Sequence, residues 1–148
     1  MAQNVSVIER KKRIKATAQR ILELKDPVIA YHIDADGISS GAVIAYALRE
    51  AGKEYDTLPL KQLDPTTYKE IPWDKDLIFV DMGSGQIEKT EGHVIIDHHQ
   101  PLKHAKHQLN SHHLGLDGSR SISASMLAYL VSREMIGDNQ MAEAGVVG

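Results

Sequence analysis

The sequence predicts an α/β fold with a mainly parallel β-sheet flanked by helices and one further helix at the N-terminus. Three short apolar runs, at residues 28–31, 77–80 and 94–96, have the continuous hydrophobicity typical of strands buried on both faces of a parallel sheet. Segments with apolar residues at helical spacing alternate with these runs. This alternation indicates parallel strands joined by right-handed crossover connections.

The N-terminal helix is predicted to begin at Ser6. Ser6 and Glu9 have the spacing of a capping box, in which the serine hydroxyl accepts from the backbone N–H of Glu9. The helical pattern stops at the Asp-Pro pair at 26–27, because the residue before a proline avoids the helical conformation. We interpret the basic run at residues 10–15 as a solvated face, with Glu9 paired to Arg13, rather than as a phosphate-binding patch.

The segments after the first strand are predicted as a helix and an edge strand. A helical pattern runs from Ile38 to Ala51 and ends before Gly52, the usual position of a glycine after a helix. Residues 55–60 are predicted as a strand. Pro59 places it at or near a sheet edge, because proline cannot donate a ladder hydrogen bond. A turn or short helix is predicted at residues 64–68.

Two further helices are predicted in the last third of the chain. Helical spacing resumes from Ser121 to Met135, and Asp138 is predicted to start another helix that runs toward Gly148. The segment before these helices is polar and rich in histidine. We interpret five histidines without a fixed spacing as surface or supporting groups rather than a further metal site: His93, His104, His107, His112 and His113.

Composition favours one domain and excludes several kinds of site. The 148 residues are 42% hydrophobic, which is enough for a single core. The absence of cysteine excludes disulfides, thiolate zinc sites and cysteine nucleophiles. A net charge of −3 does not indicate indiscriminate binding to nucleic acid. Since no apolar run is long enough for a signal peptide or a membrane span, we expect a cytoplasmic protein with no membrane partner.

Acidic and histidine side chains follow each of the three apolar runs. They are His32, Asp34 and Asp36 after the first, Asp81 after the second, and Asp97, His98 and His99 after the third. Because ligands bind beyond the carboxyl ends of parallel strands, we expect these groups to converge. Carboxylates gathered there would repel one another, and divalent cations would relieve the repulsion.

The set of donor atoms predicts both the metal and the chemistry. Imidazole nitrogen with several carboxylate oxygens and no sulfur favours Mn²⁺ or Mg²⁺ over a structural zinc site. There are more carboxylates than one ion requires, which favours two ions roughly 3.5–4 Å apart, the arrangement that activates water and neutralises a phosphate. We therefore predict cleavage of a phosphoester or phosphoanhydride.

Three motifs carry a resemblance to a known family. His32-Ile-Asp-Ala-Asp-Gly37, Val80-Asp81 and Asp97-His98-His99 resemble the first three motifs of the DHH phosphoesterase superfamily, in order and at suitable spacing. The first motif most resembles the RecJ-like branch, which includes archaeal nucleases that associate with the GINS replication complex. The similarity spans about residues 27–136. It implies a Rossmann-like DHH domain that hydrolyses single-stranded DNA or RNA, with possible partners of the GINS type.

The resemblance also implies a role for each site residue. Asp34, Asp36, Asp81 and His98 match metal-ligand positions, with Asp81 as the bridge between two Mn²⁺ or Mg²⁺ ions that activate water. His32 matches a position that holds a ligand or an orienting group. His99 would approach the scissile phosphate, and Asp97 would orient the two histidines without binding the metal.

The chain departs from the family pattern at its end. The family has a fourth acidic motif after a small and apolar segment, and residues 144–148 resemble only that lead-in. We expect residues 1–148 to be an N-terminal DHH catalytic domain without the C-terminal substrate-binding domain. We expect such a chain to fold and to bind at least one divalent ion, but to hydrolyse poorly.

Alternative functions stay open at this point. A phosphodiesterase for oligonucleotides or cyclic dinucleotides, or a pyrophosphatase, would use nearly the same metal ligands. The nuclease branch is favoured because His32 lies two residues before Asp34, whereas many members with small substrates have the histidine four before. A non-catalytic replication scaffold is the alternative from another class, although a scaffold has no physical reason to retain so many uncompensated acids.

Overall fold

A five-stranded, all-parallel β-sheet forms the centre of the molecule, a computed structural model that describes residues 4–147. In chain order the strands are β1 (Val28–His32), β2 (Asp56–Leu60), β3 (Leu77–Val80), β4 (Val94–Asp97) and β5 (Gln108–Asn110). Their order in the sheet is β2-β1-β3-β4-β5. The predicted α/β fold with a mainly parallel sheet is therefore confirmed, and β2 lies at an edge, as Pro59 indicated.

Helices cover one face of the sheet and form the larger of two apolar cores. The helices are α1 (Val7–Glu23), α2 (Ala35–Glu50), the single turn α3 (Ile87–Thr90) and α4 (Ala124–Ile136). Alternate strand residues such as Ile29, Ile78 and Ile96 pack against α1, α2 and α4. Their neighbours along the strands, such as Phe79 and Ile95, face a second core with α3 and connecting segments.

Side-chain caps set the starts of three helices. The Ser6 hydroxyl accepts from the N–H of Glu9 at 3.2 Å, which confirms the predicted start of α1, and Glu9 pairs with Arg13 at 3.0 Å. Asp34 caps α2 by accepting from Gly37 at 2.8 Å, so this helix begins three residues before the predicted Ile38. Ser123 caps α4 in the same way, accepting from the N–H of Met126 at 3.2 Å.

The helix predicted from Asp138 is wrong. Two short 3₁₀ turns, Gln140–Ala142 and Ala144–Val146, occupy this segment instead. The Asn139 side chain accepts from the N–H of Met141 at 3.0 Å and so starts a tight turn. Among residues 4–147, no helix combines the length and the hydrophobicity required to cross a membrane.

Candidate metal centre

The carboxyl ends of β1, β3 and β4 meet at the point where the strand order of the sheet reverses. The chain leaves β1 toward β2 on one side, and β3 lies on the other side. Val80 is in register with Tyr31 of β1 and with Ile96 of β4. The residues that follow these three positions are therefore neighbours, in the crevice where open α/β sheets bind ligands.

Asp81 lies at the centre of this crevice and is almost completely buried, with 2% of its surface exposed. Its backbone has a φ of +59°, which is unusual for a residue other than glycine. Its Oδ1 lies 3.2 Å from Nε2 of His98 and its Oδ2 lies 3.5 Å from Nδ1 of His32, so each carboxylate oxygen faces a histidine ring. Burial raises the pKa of Asp81; the nearby His98 opposes this, while the carboxylates of Asp36 and Asp34 add to it.

His98 presents one ring nitrogen to these acids. Its Nδ1 lies 2.8 Å from the carbonyl oxygen of Gly118, which can only accept, so Nδ1 carries a proton. Nε2 lies 3.2 Å from Asp81 Oδ1 and 3.3 Å from Asp36 Oδ2. These neighbours, Asp81 foremost, raise the pKa of His98 to about 9. In the neutral ring, the lone pair of Nε2 would face the carboxylates as a metal ligand does.

His32 and Asp34 lie on the other side of Asp81. His32 Nδ1 is 2.7 Å from Asp34 Oδ2 and 3.5 Å from Asp81 Oδ2. Burial alone would raise the pKa of Asp34, but the hydrogen bond from Gly37 and the contacts with Asp81 and His32 together lower it. Asp34 is therefore ready to act as an ionised ligand while it caps α2.

Two groups of side chains could each hold a metal ion. Asp81, His98 and His99 form one group, and His32, Asp34 and Asp81 form the other; within each, the ligand atoms lie within 4.8 Å of one another. Asp81 belongs to both groups. A buried carboxylate whose two oxygens face different histidines, His98 and His32, fits a residue that bridges two cations.

Asp97 forms hydrogen bonds with both adjacent histidines. It is fully buried, and its Oδ1 accepts from the backbone N–H groups of His98 at 2.8 Å and His99 at 3.2 Å. The same oxygen lies 2.7 Å from Nδ1 of His99, and Oδ2 accepts from the N–H of Ser84 at 3.1 Å. Burial alone would raise the pKa of Asp97, but these bonds lower it below its usual range. Asp97, in turn, raises the pKa of His99.

Asp36 joins the site by a different route from the other acids. Its two oxygens accept from the backbone N–H groups of Ser125 at 2.7 Å and Ala124 at 3.0 Å, the first turn of α4. Asp36 thus fixes α4 to the start of α2 while one of its oxygens faces His98. It is not part of either three-residue group found among the described residues.

Comparison with known proteins identifies the family. A family model described as the N-terminal domain of the DHH family matches residues 27–148. The chain belongs to the DHH family. It is 34% identical to an uncharacterized protein of Methanocaldococcus jannaschii over 156 aligned positions, 95% of this chain and 36% of that protein. The chain thus spans about a third of that relative's length.

Two solved structures share the fold of this DHH domain. Exonuclease RecJ bound to manganese has a TM-score of 0.65 and 17% identity, over 82% of this chain and 37% of that one. RecJ of Thermus thermophilus in complex with Mn²⁺ has a TM-score of 0.66 and 18% identity, over 91% of this chain and 21% of that one. The resemblance of the fold to RecJ is therefore confirmed.

Sequence reasoning missed three residues that support the DHH motif. Asn110, at the end of β5, donates from Nδ2 to the carbonyl oxygen of His99 and to the Ser84 hydroxyl, both at 2.9 Å. Ser84 also anchors Asp97 through its backbone. Gly118 supplies the carbonyl to His98, and a side chain there would place Cβ only 1.9 Å from the His98 carbonyl oxygen. Ser84 and Gly118 act here through backbone groups, which no residue type marks in a sequence. A glycine in a polar loop is only a weak indication of such a contact.

The remaining histidines of this DHH domain lie outside both metal-binding groups found in the described residues. His104 and His113 face each other with their Nδ1 atoms 3.1 Å apart. Burial, followed by the nearby His104 and Arg13, lowers the pKa of His113 to about 4. His113 therefore favours its neutral form.

Proposed function

We propose that this chain is the catalytic domain of a divalent-metal-dependent phosphoesterase. The observation that carries the proposal is Asp81, a buried carboxylate whose two oxygens face different histidines and which belongs to both ligand groups. Membership of the DHH family supports the same class of activity. A metal pair at these groups would supply Lewis-acid activation of water and neutralise phosphate charge.

The ligands we propose follow the two groups with one exchange: His99 is assigned to substrate, and Asp36, which lies 3.3 Å from His98, takes its place. His32 and Asp34 would hold one ion, His98 and Asp36 would hold the other, and Asp81 would serve both. The donors are imidazole nitrogen and carboxylate oxygen only, a set that suits Mn²⁺ or Mg²⁺. Both RecJ structures with this fold contain manganese, which makes Mn²⁺ our first choice.

We assign substrate contact to His99 and support to Asp97. Nδ1 of His99 donates to Asp97, so its Nε2 is the nitrogen free to face the crevice. The raised pKa of His99 favours the cationic ring, which suits contact with a phosphate oxygen. Asp97 also holds the backbone of both histidines, so it positions both rings without needing to contact substrate.

We further propose a single-strand-specific exonuclease for DNA or RNA. The fold shared with exonuclease RecJ supports this choice, as does the position of His32 two residues before Asp34. The test is a Mn²⁺ titration with end-labelled single strands of DNA and of RNA. Laddering that requires Mn²⁺ is expected, and it should be slow for residues 1–148. Cleavage confined to dinucleotides or pyrophosphate would refute the exonuclease assignment and keep the phosphoesterase.

A variant that replaces the Asp81 carboxylate with an uncharged amide distinguishes a catalytic domain from a non-catalytic scaffold. Asp81→Asn should lower hydrolysis at least about 100-fold, since it removes the ligand shared by both groups. Asp56→Asn is the matched control, because Asp56 is an exposed acid on β2 paired only loosely with Lys75 at 3.7 Å. Equal activity of the wild type and Asp81→Asn would overturn the proposed function.

A further inference from the structure

A small depression lies between α1 and the segment that leads into β5. It measures about 280 Å³, and Val94 and Gln108, the first residues of β4 and β5, are part of its lining. The DHH motif begins at Asp97, the last residue of β4, and therefore lies at the other end of that strand. Within the described chain, the depression shares no lining residue with the cavities beside the DHH motif. A ligand here would not be the scissile phosphate.

One wall of the depression is a single face of α1. The residues of this face follow one another at intervals of three, one and three: Arg13, Ala16, Thr17 and Arg20. Two small side chains thus leave space between two arginines. Seven residues of helix separate the arginines by about 10 Å along the axis, so both long side chains can reach one ligand between them.

The opposite wall belongs to the segment before β5. His104, Lys106 and His107 line it. Burial lowers the pKa of His107, and the nearby charges of Arg20 and Lys106 lower it further, with Glu23 opposing them. Positive charge from α1 and from this segment therefore meets in the same space.

The cations of the depression have unused hydrogen-bond donors. Nε of Arg20 is buried and has no hydrogen-bond partner in the part of the chain that the structure describes, while its Nη1 lies 3.5 Å from Glu23. Arg13 pairs with Glu9 through Nε, at 3.0 Å. Lys106 makes no ion pair within residues 4–147. An oxyanion would supply the acceptor that Arg20 lacks.

The charge of the lining selects the kind of anion. Three cations, Arg13, Arg20 and Lys106, and one acid, Glu9, leave a net charge of +2 when the histidines are counted as neutral. A phosphate dianion matches this charge, whereas a carboxylate or an internal phosphate of DNA or RNA carries one negative charge. Pockets for drug-sized organic molecules measure roughly 300–1,000 Å³, so this smaller space fits an ion or the phosphate end of a larger molecule.

The other cations of the basic run on α1 do not contribute. Lys11, Lys12 and Lys15 are exposed and do not line the depression. They agree with the interpretation of this run as a solvated face, to which Arg13 is the exception. They also provide control positions with the same charge on the same helix.

We propose that the depression between α1 and the segment before β5 is a binding site for a phosphate dianion, with Arg20 and Lys106 as its main binding residues. The ligand is inorganic phosphate or the terminal phosphate of a monoester. This site goes beyond the proposed phosphoesterase function, since it requires no metal ion and leaves the DHH motif open to substrate.

Calorimetry with inorganic phosphate, phenyl phosphate and dimethyl phosphate tests the site. The protein is freed of metal ions, so that no ion attracts phosphate to the DHH motif, and a cooperative thermal transition verifies that it is folded. The wild type should bind inorganic phosphate at least about tenfold more tightly than the monoanion dimethyl phosphate. Binding of phenyl phosphate at the affinity of inorganic phosphate would assign the site to a terminal phosphate, and weaker binding would assign it to the free ion; both support the site.

Matched variants locate the binding. Arg20→Gln combined with Lys106→Gln should weaken phosphate binding at least about tenfold. Lys12→Gln combined with Lys15→Gln removes the same charge outside the depression and should bind phosphate as the wild type does. Ala16→Met fills the space from an exposed position without changing the charge, and it should also weaken binding.

Equal phosphate affinity of the two double variants would overturn the site, because binding would then follow net charge alone. Equal affinity of the wild type for inorganic phosphate and dimethyl phosphate would also overturn it. So would binding of a single-stranded oligonucleotide without terminal phosphates that depends on Arg20 and Lys106 while phosphate does not bind. Loss of all Mn²⁺-dependent hydrolysis with phosphate binding intact would refute the phosphoesterase and leave this site standing.

Discussion

Replacing Asp81 by asparagine should make the metal-free protein more stable. The buried Asp81 carboxylate lies beside Asp34 and Asp36, and its burial together with these acids raises its pKa by more than His98 lowers it. Asparagine has the same shape, tolerates the φ of +59° and carries an amide that can donate to those acids. His98 keeps an acidic neighbour, because Asp36 lies 3.3 Å from its Nε2.

The size of this effect follows from the cost of burying a charge beside like charges, which His98 offsets only in part. Relief of that cost should contribute about 1 kcal/mol or more, equivalent to roughly 2–4 °C in Tm for a domain of this size. With metal bound, the wild type should be more stable than Asp81→Asn. An ion at 100 times its Kd stabilises the wild type by about 2.7 kcal/mol, or roughly 5–10 °C, and Asp81→Asn should lose this gain.

The pH dependence of stability provides a second test of this prediction. Because burial raises the pKa of Asp81, its contribution to stability is complete below the ordinary value of 3.8 and is lost as pH rises through the folded-state pKa. The advantage of Asp81→Asn should therefore be present at pH 7 and vanish at low pH.

Thermal unfolding with chelator, and then with Mn²⁺, measures both effects. Asp56→Asn should behave as the wild type in both conditions. A lower Tm for Asp81→Asn in chelator, together with an undiminished increase on adding Mn²⁺, would refute the argument that Asp81 is an acid only partly compensated by His98 and available to a metal ion. Such a result would place the metal ligands elsewhere.

Three further predictions concern the surroundings of the metal centre. Asn110→Leu should lower kcat roughly tenfold, equivalent to about 1.4 kcal/mol, and leave Mn²⁺ affinity unchanged. The control is Gln108→Met, which removes an amide that does not reach His99 and should keep the wild-type kcat. Equal kcat values for the two variants would contradict this prediction. Gly118→Ala should weaken Mn²⁺ binding at least about tenfold by calorimetry, because its Cβ would displace the His98 carbonyl, and unchanged affinity would contradict it. Mn²⁺ affinity should rise by at most tenfold per pH unit up to about pH 9, because the ion displaces a proton from His98. Absence of proton release in calorimetry would count against His98 as a ligand.

The fold was predictable where burial left a pattern in the sequence. β1, β3 and β4 are buried on both faces, so their continuous apolar runs located them, and Pro59 located the edge strand β2. β5 was not predictable in this way. Its three residues, Gln108–Asn110, include two polar side chains that are buried through hydrogen bonds to Ser84 and to the DHH loop.

The sequence predicted which residues form the site but not the hydrogen bonds that hold them in place. Strand ends brought together His32, Asp81 and His98 as the motif spacing indicated, because parallel strands finish at one edge. Backbone groups hold two members of the site: the carbonyl of Gly118 contacts the ring of His98, and the N–H of Ser84 donates to Asp97. Every residue has such groups, so no residue type marks them in a sequence.

The kind of cation that pairs with the acids also favours a metal site over a structural ion-pair network. Among residues 4–147, the lysine and arginine ion pairs lie elsewhere, for example at Glu9, Glu91 and Asp138. The acids of the crevice pair with histidines. Lysine or arginine would keep its charge and compete permanently with a metal ion, whereas imidazole can release its proton and become a ligand. The crevice therefore holds negative charge that the imidazolium ring of His98 balances in the absence of metal and that an exchangeable cation would balance in its place.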